Sequence, residues 1–190
     1  MKPQVRILGV DDAPFTFEDA ETEVVGVVVR APGYVEGAMM TRVAVDGRDA
    51  NARLAAMIGR SRFRDGLALV LLDGAALGGF NVVDIGQLHE AIGIPVATVT
   101  RKEPNPAAME KALRNRFADA EERLAVLRHQ GLSKVATAHK PLFVSCAGMG
   151  PRDVAEAIAK CTIRGALPEP IRIAHILATA VKKGESHGRA

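Results

Sequence analysis

Residues 5–15, VRILGVDDAPF, run apolar from Ile7 to Val10 after Val5 and Arg6, meet two aspartates at Asp11 and Asp12, and reach a proline at Pro14. Apolar and β-branched residues that stop at a polar, proline-containing turn describe a short buried strand, Val5 to Val10, delivering Asp11 to the rim of a sheet. Outward from it, the valine-rich Glu23 to Arg30 and then Tyr34 to Val45 read as two more strands, joined by the turn residues Ala31-Pro32-Gly33. Three consecutive strands give the sheet an antiparallel start.

From Asp49 the spacing changes to a helical one, with Leu54, Met57 and Ile58 on one face, and it leads into the apolar strand Leu67 to Leu72, which stops at Asp73-Gly74. The Gly-rich AALGGFNVVD precedes a helix around Ile85 to Ile92, and Pro95 opens the strand PVATVT. This βαβ rhythm implies parallel pairing. Helices are expected from Pro106 through Phe117 and from about Ala118 to Gln130, ended by Gly131. Lys134 to Ala138 and Pro141 to Ala147 read as strands, Pro151 begins a helix, and Pro168-Glu169-Pro170 begins the last one, with a frayed GESHGRA tail. The expected architecture is α/β, one domain over residues 1–190: a ribonuclease H-like mixed sheet of three antiparallel strands and then βαβ units, flanked by helices, with the first and fourth strands side by side.

Composition narrows the function classes. At 190 residues and 48% hydrophobic the chain can bury a full core, and its longest apolar runs, such as LALVLL at 67–72, fall far short of the roughly 20 residues of a membrane span. The apolar run at the N-terminus is too short for a signal peptide. Cys146 and Cys161 have no metal-binding spacing and read as free thiols of a reducing cytoplasm. A net charge of +3 permits binding to a polyanion, with basic residues gathered in KALRNRF (111–117) and VKKGESHGR (181–189), yet it decides little alone. Missing GKS or GKT and GxGxxG signatures disfavour a nucleoside-triphosphate or dinucleotide site, and a missing GxSxG disfavours acyl transfer.

Chemistry concentrates on the aspartates. Asp11 and Asp73 each end a near-continuous apolar strand; if the strands are neighbours, the two carboxylates converge at one edge and can hold a hard cation such as Mg²⁺, or Mn²⁺ in its place. Asp49, in VDGRDANARL, is the expected third ligand, with Asp46 as the alternative. A lone aspartate at a strand end most often caps a turn, so the pair carries the argument. Gly78 and Gly79 would let a flat base approach the backbone, with Phe80 to stack on it and Asn81 to bond its edge; a tight turn with a core phenylalanine is the competing reading. GMGPRDV (148–154) offers either a phosphate-binding helix start or a plain one. His175 reads as a satisfied core residue of the last helix, and His89, His129, His139 and His187 have no paired spacing.

Taken together, GVDDAPF, VDGRDA, LLDGAALGGFNVVD and GALPEPIRIAH resemble the family labelled domain of unknown function ninety-nine, over almost the whole chain. That family is similar to endonuclease V, which has a ribonuclease H-like fold and cuts nucleic acid near deaminated bases using Mg²⁺. The resemblance implies that Asp11, Asp49 and Asp73 hold metal, with aspartate at 49 in place of a glutamate. It places Lys102 near the scissile phosphate, with Arg101 as its close competitor, and puts His175 where endonuclease V usually has an acid. The Pro-Tyr-Ile-Pro wedge of endonuclease V is absent, and its histidine and arginine after the VDG motif are replaced by GGFN, so the lesion pocket is rebuilt. The expected activity is Mg²⁺-dependent hydrolysis of a phosphodiester near uracil or hypoxanthine in DNA, with RNA as a further candidate partner. The alternatives are a non-catalytic nucleic-acid or nucleotide binding protein on the same fold, or a structural subunit.

Overall fold

In the computed structural model the described residues are 4–186, so the last four residues of the GESHGRA tail, His187 among them, lie outside them. The strands are β1 (Arg6–Asp12), β2 (Glu21–Arg30), β3 (Tyr34–Ala44), β4 (Leu69–Asp73), β5 (Ala76–Leu77), β6 (Asn81–Val82), β7 (Val96–Thr100), β8 (Ser133–Val135) and β9 (Leu142–Ala147). The helices are α1 (Ala50–Gly59), α2 (Ile85–Ile92), α3 (Pro106–Arg116), α4 (Ala120–His129), α5 (Pro151–Cys161) and α6 (Glu169–Lys183). None is long and apolar enough to cross a membrane.

Two strands that end in aspartate lie side by side in the middle of a seven-stranded sheet of order β3-β2-β1-β4-β7-β9-β8. β1, β2 and β3 pair antiparallel, and β1 pairs parallel with β4 from Ile7↔Leu69 to Val10↔Leu72. The parallel rhythm continues into β7 and stops there, because β9 runs antiparallel to β7. The result is the ribonuclease H-like mixed sheet expected from the sequence. β8 is only three residues long, shorter than the expected Lys134 to Ala138. The Gly-rich stretch after Asp73 is a small antiparallel hairpin of its own, β5 with β6.

Alternation along the strands sorts the core into two faces. Leu8, Val10, Val70 and Leu72 are fully buried against Leu54, Met57 and Ile58 of α1 and Leu88 and Ile92 of α2. Ile7, Leu69 and Leu71 are fully buried on the other face, with Val154 and Ile158 of α5 and Ile171 of α6. Each such side chain contributes about 1.5–3 kcal/mol by leaving water. Helix ends carry their own signals: Asp84 caps α2 by accepting from the Gln87 N–H at 3.0 Å, and Gly93 ends it with φ 70°. α6 crosses β1 so closely that a β-carbon on Gly9 would sit 2.1 Å from the Pro170 carbonyl carbon. Glycine at position 9 sets how near the last helix comes to the first strand.

Candidate metal centre

Asp11 and Asp73 each stand one residue beyond the paired Val10 and Leu72, so the parallel register brings both aspartates to the same rim. Asp11 shares the alternation of Ile7 and therefore faces α6. There His175 meets it, with Nδ1 2.8 Å from Asp11 Oδ2. One ligand atom from each of Asp11, Asp73 and His175 lies within 4.8 Å of the others. These three side chains line an open cavity of about 370 Å³ together with Asp12, Ala13, Pro14 and Phe15.

The electrostatics of this cavity ask for a positive charge. Burial pushes the Asp11 carboxyl up to about 8, and the neighbouring charges of Asp73 and Asp12 add to the rise, against the Asp12 N–H and the charge of Arg101. Burial also raises Asp73, opposed by Arg101 and His175, and raises Asp12, opposed by the Gly78 N–H. Like carboxylates in a poorly solvated site cannot all ionise unless a cation compensates them. Two carboxylates open to solvent on one side fit a hard divalent cation that keeps part of its water shell, and an imidazole suits a divalent transition metal such as Mn²⁺. The donor set therefore fits the group that the sequence suggests.

Among the other residues singled out in the sequence, Asp49 is not brought to this cluster. Its Oδ1 accepts from the Ala44 N–H at 3.0 Å and from Asn81 Nδ2 at 2.7 Å, and its Oδ2 faces Arg53 Nε at 3.0 Å. Burial would raise its pKa, but these three donors hold it below the usual carboxylate value. Asp46, the alternative, is also engaged: it accepts from the Phe80 N–H and pairs with Arg116 at 2.9 Å. Asn81 is fully buried, with Oδ1 accepting from the Ala50 N–H and Nδ2 donating to the Ala44 carbonyl as well as to Asp49. Its amide braces the start of α1 and has no edge free for a base. Phe80 packs edge-on against Phe117 at 5.8 Å beneath the α3–α4 pair.

Gly78 and Gly79 turn the β5–β6 hairpin with φ of 56° and 87°. The Gly78 N–H donates to Asp12 Oδ2 at 2.9 Å, and a β-carbon on Gly79 would meet Asp46 Oδ1 at 2.3 Å. Of the two basic candidates, Arg101 is the one whose charge reaches both Asp11 and Asp73. Lys102 is exposed, and its carbonyl accepts from the Thr100 hydroxyl. His175, which reads as a core histidine from its own surroundings and which the resemblance sets where endonuclease V usually has an acid, is a site residue here. Its signal was a polar side chain beside the stripe Ile171, Ala174 and Ala178, where a buried face would otherwise be apolar.

Residues 3–182 match the sequence profile of the family described as endonuclease dU. The chain belongs to that family. Among its relatives is a UPF0215 protein of Methanopyrus kandleri, 44% identical over 193 residues that cover 100% of this chain and 98% of the relative. A solved structure from Archaeoglobus fulgidus, described as a protein of unknown function, is 35% identical with a TM-score of 0.85, covering 94% of this chain and 98% of that one. Endonuclease V of Ciona intestinalis, solved with a 24mer DNA containing an inosine followed by a ribo-adenosine, matches at a TM-score of 0.53 and 16% identity, covering 90% and 82%. At that identity the likeness is one of fold, so this chain shares its sheet and helix arrangement with endonuclease V.

Proposed function

We propose that this chain is a Mg²⁺-dependent endonuclease that hydrolyses a phosphodiester in DNA near a deaminated base, uracil or hypoxanthine, with Mn²⁺ able to take the metal's place. The observation that carries the reading is the convergence of Asp11 and Asp73, both displaced toward protonation by burial, at one rim of the sheet. The family description supports an endonuclease and a dU substrate, and the inosine-bearing DNA on the Ciona endonuclease V supports hypoxanthine as the second base.

Asp11 and Asp73 would hold the cation, which when bound supplies charge for a phosphate oxygen and lowers the pKa of water. The other residues position and compensate. His175 Nδ1 fixes the Asp11 carboxylate through its 2.8 Å contact, the kind of outer hydrogen bond that orients a ligand. Arg101 would offset negative charge developing on the phosphate, with Lys102 next to it. Gly78 and Gly79 turn the hairpin tightly, the Gly78 N–H on Asp12 and Gly79 against Asp46, so the hairpin braces the rim and does not open a pocket for a flat base. Asp49 acts one step removed, holding Asn81 and the start of α1 in place.

The test is a cleavage assay with end-labelled DNA, unmodified or carrying one uracil or one hypoxanthine, in Mg²⁺, paired with calorimetric titration of the metal. Lesion-dependent cutting should fall at least about a hundredfold in Asp11→Ala and Asp73→Ala, which lose ligands, while Asp49→Asn should bind metal much as the parent does. Undiminished cutting by Asp73→Ala sinks the proposal. Metal binding without cutting of any of the three DNAs moves the chain to the class of binding proteins.

A further inference from the structure

The loop after β1 carries a ring that the core does not use. Phe17 keeps 64% of its surface in solvent although the chain buries most of its large apolar side chains. It is held there by a braced turn. The Thr16 N–H donates to Asp19 Oδ2 at 2.9 Å, the Asp19 N–H donates to the Thr16 carbonyl at 3.1 Å, and Lys182 in the last turn of α6 lies 3.3 Å from the same Asp19 oxygen. The ring is therefore presented outward by structure on both sides of it.

Two neighbours give that exposure a direction. Phe15 meets Phe17 edge to face, with centroids 5.8 Å apart at 80°, and Phe15 lines the cavity that holds Asp11, Asp73 and His175. The guanidinium of Arg116 lies 3.8 Å from the Phe17 centroid while it pairs with Asp46. An aromatic ring and an arginine plane stacked together, one phenylalanine away from paired carboxylates, match the surface on which unpaired bases stack. Every base has a π-face, and the cation beside the ring favours a phosphodiester chain over a neutral ligand.

We propose that Phe17, backed by Arg116, is a stacking platform for an unpaired nucleobase of the DNA strand that enters the metal centre. This inference rests on the nuclease reading above and adds the place where a base beside the scissile phosphate is held. Phe17 acts here by binding and positioning the strand.

The experiment compares the full-length parent, Phe17→Ala and Phe17→Tyr for binding to a short fluorescein-labelled thymidine oligonucleotide and to an abasic oligonucleotide of the same length. Anisotropy is read without divalent metal so that nothing is cut. Phe17→Ala should bind the thymidine strand about tenfold more weakly than the parent, Phe17→Tyr should bind it like the parent, and all three should bind the abasic strand alike. Equal affinity of parent and Phe17→Ala for thymidine overturns the proposal, as does an equal loss on both strands or no binding by the parent. Cleavage of uracil-bearing DNA by the parent is scored separately. Cutting with no Phe17 dependence removes the platform and keeps the nuclease; Phe17-dependent binding with no cutting does the reverse.

Discussion

Asp11 and Asp12 are consecutive residues of β1 whose carboxylates serve opposite faces of the sheet. Asp11 Oδ2 lies 2.8 Å from His175 Nδ1 on the α6 side, while Asp12 Oδ2 accepts the Gly78 N–H at 2.9 Å and anchors the β5–β6 hairpin. Truncation should separate the two roles. Asp12→Ala leaves the Gly78 N–H without its acceptor and should cost about 1–3 kcal/mol in urea denaturation. Asp11→Ala should abolish metal binding in calorimetry, where Asp12→Ala weakens it less.

Acidity gives a second prediction, with a sign opposite to that of an ordinary buried ion pair. The folded-state pKa of Asp11 is about 8 against 3.8 when unperturbed, and those of Asp73 and Asp12 are displaced the same way. Between these limits the folded protein binds more protons than the unfolded chain, so stability falls as pH rises. Metal-free protein should therefore lose stability in denaturant titrations taken from about pH 4 to about pH 8. Metal competes with those protons, so its affinity should climb through the same window. A flat profile in the absence of metal would contradict the burial of these carboxyls.

Two glycine substitutions should move stability in opposite directions. Gly9→Ala would place a β-carbon 2.1 Å from the Pro170 carbonyl carbon and 2.5 Å from the Ile171 nitrogen, backbone atoms that can yield only if α6 shifts. A loss of about 1–3 kcal/mol is expected, together with weaker metal binding, because His175 rides on the displaced helix. Gly59, the last residue of α1, has nothing within 4 Å of its virtual β-carbon, and Gly59→Ala should raise stability by about 0.5–1 kcal/mol. Thermal melts of both variants check the pair.

Arg123 is an almost fully buried arginine with a structural task. It donates to the carbonyls of Asp46, Gly47 and Phe80, pairs with Asp119 at 3.0 Å, and lies 4.3 Å from the Phe117 ring centroid. Arg123→Met preserves bulk and strands those acceptors. The expected cost is about 3–5 kcal/mol, read as a lower denaturation midpoint with an unchanged slope.

How much of this was legible in the sequence follows from how local each determinant is. Helix α2 was fully readable because Asp84 caps it and Gly93 stops it within a few residues of its own span. The rim aspartates were readable because an apolar run that stops at a charge marks the end of a buried strand, as at Asp11 and Asp73. Asp49 looked equally suited to a metal, and what occupies it is Asn81, 32 residues away, which no local pattern reveals. The bond between His175 and Asp11 spans 164 residues; in the residues themselves it leaves only a polar side chain beside an apolar stripe, and the position is marked further by the resemblance to endonuclease V alone. GGFN is open in the sequence to two readings, a base-binding loop or a tight turn with a core phenylalanine; the hairpin and Phe80 packed on Phe117 match the second, and strands of two residues are too short to show alternation.

The metal centre draws its three side chains from the first strand, the middle of the chain and the last helix. During synthesis, a nascent chain that has emerged only as far as α5 can set β1 beside β4, bringing two poorly solvated carboxyls together with no imidazole to orient them. Ordered assembly of the centre must await arrival of α6 against Gly9, so the order of translation itself withholds the finished site until that helix has left the ribosome.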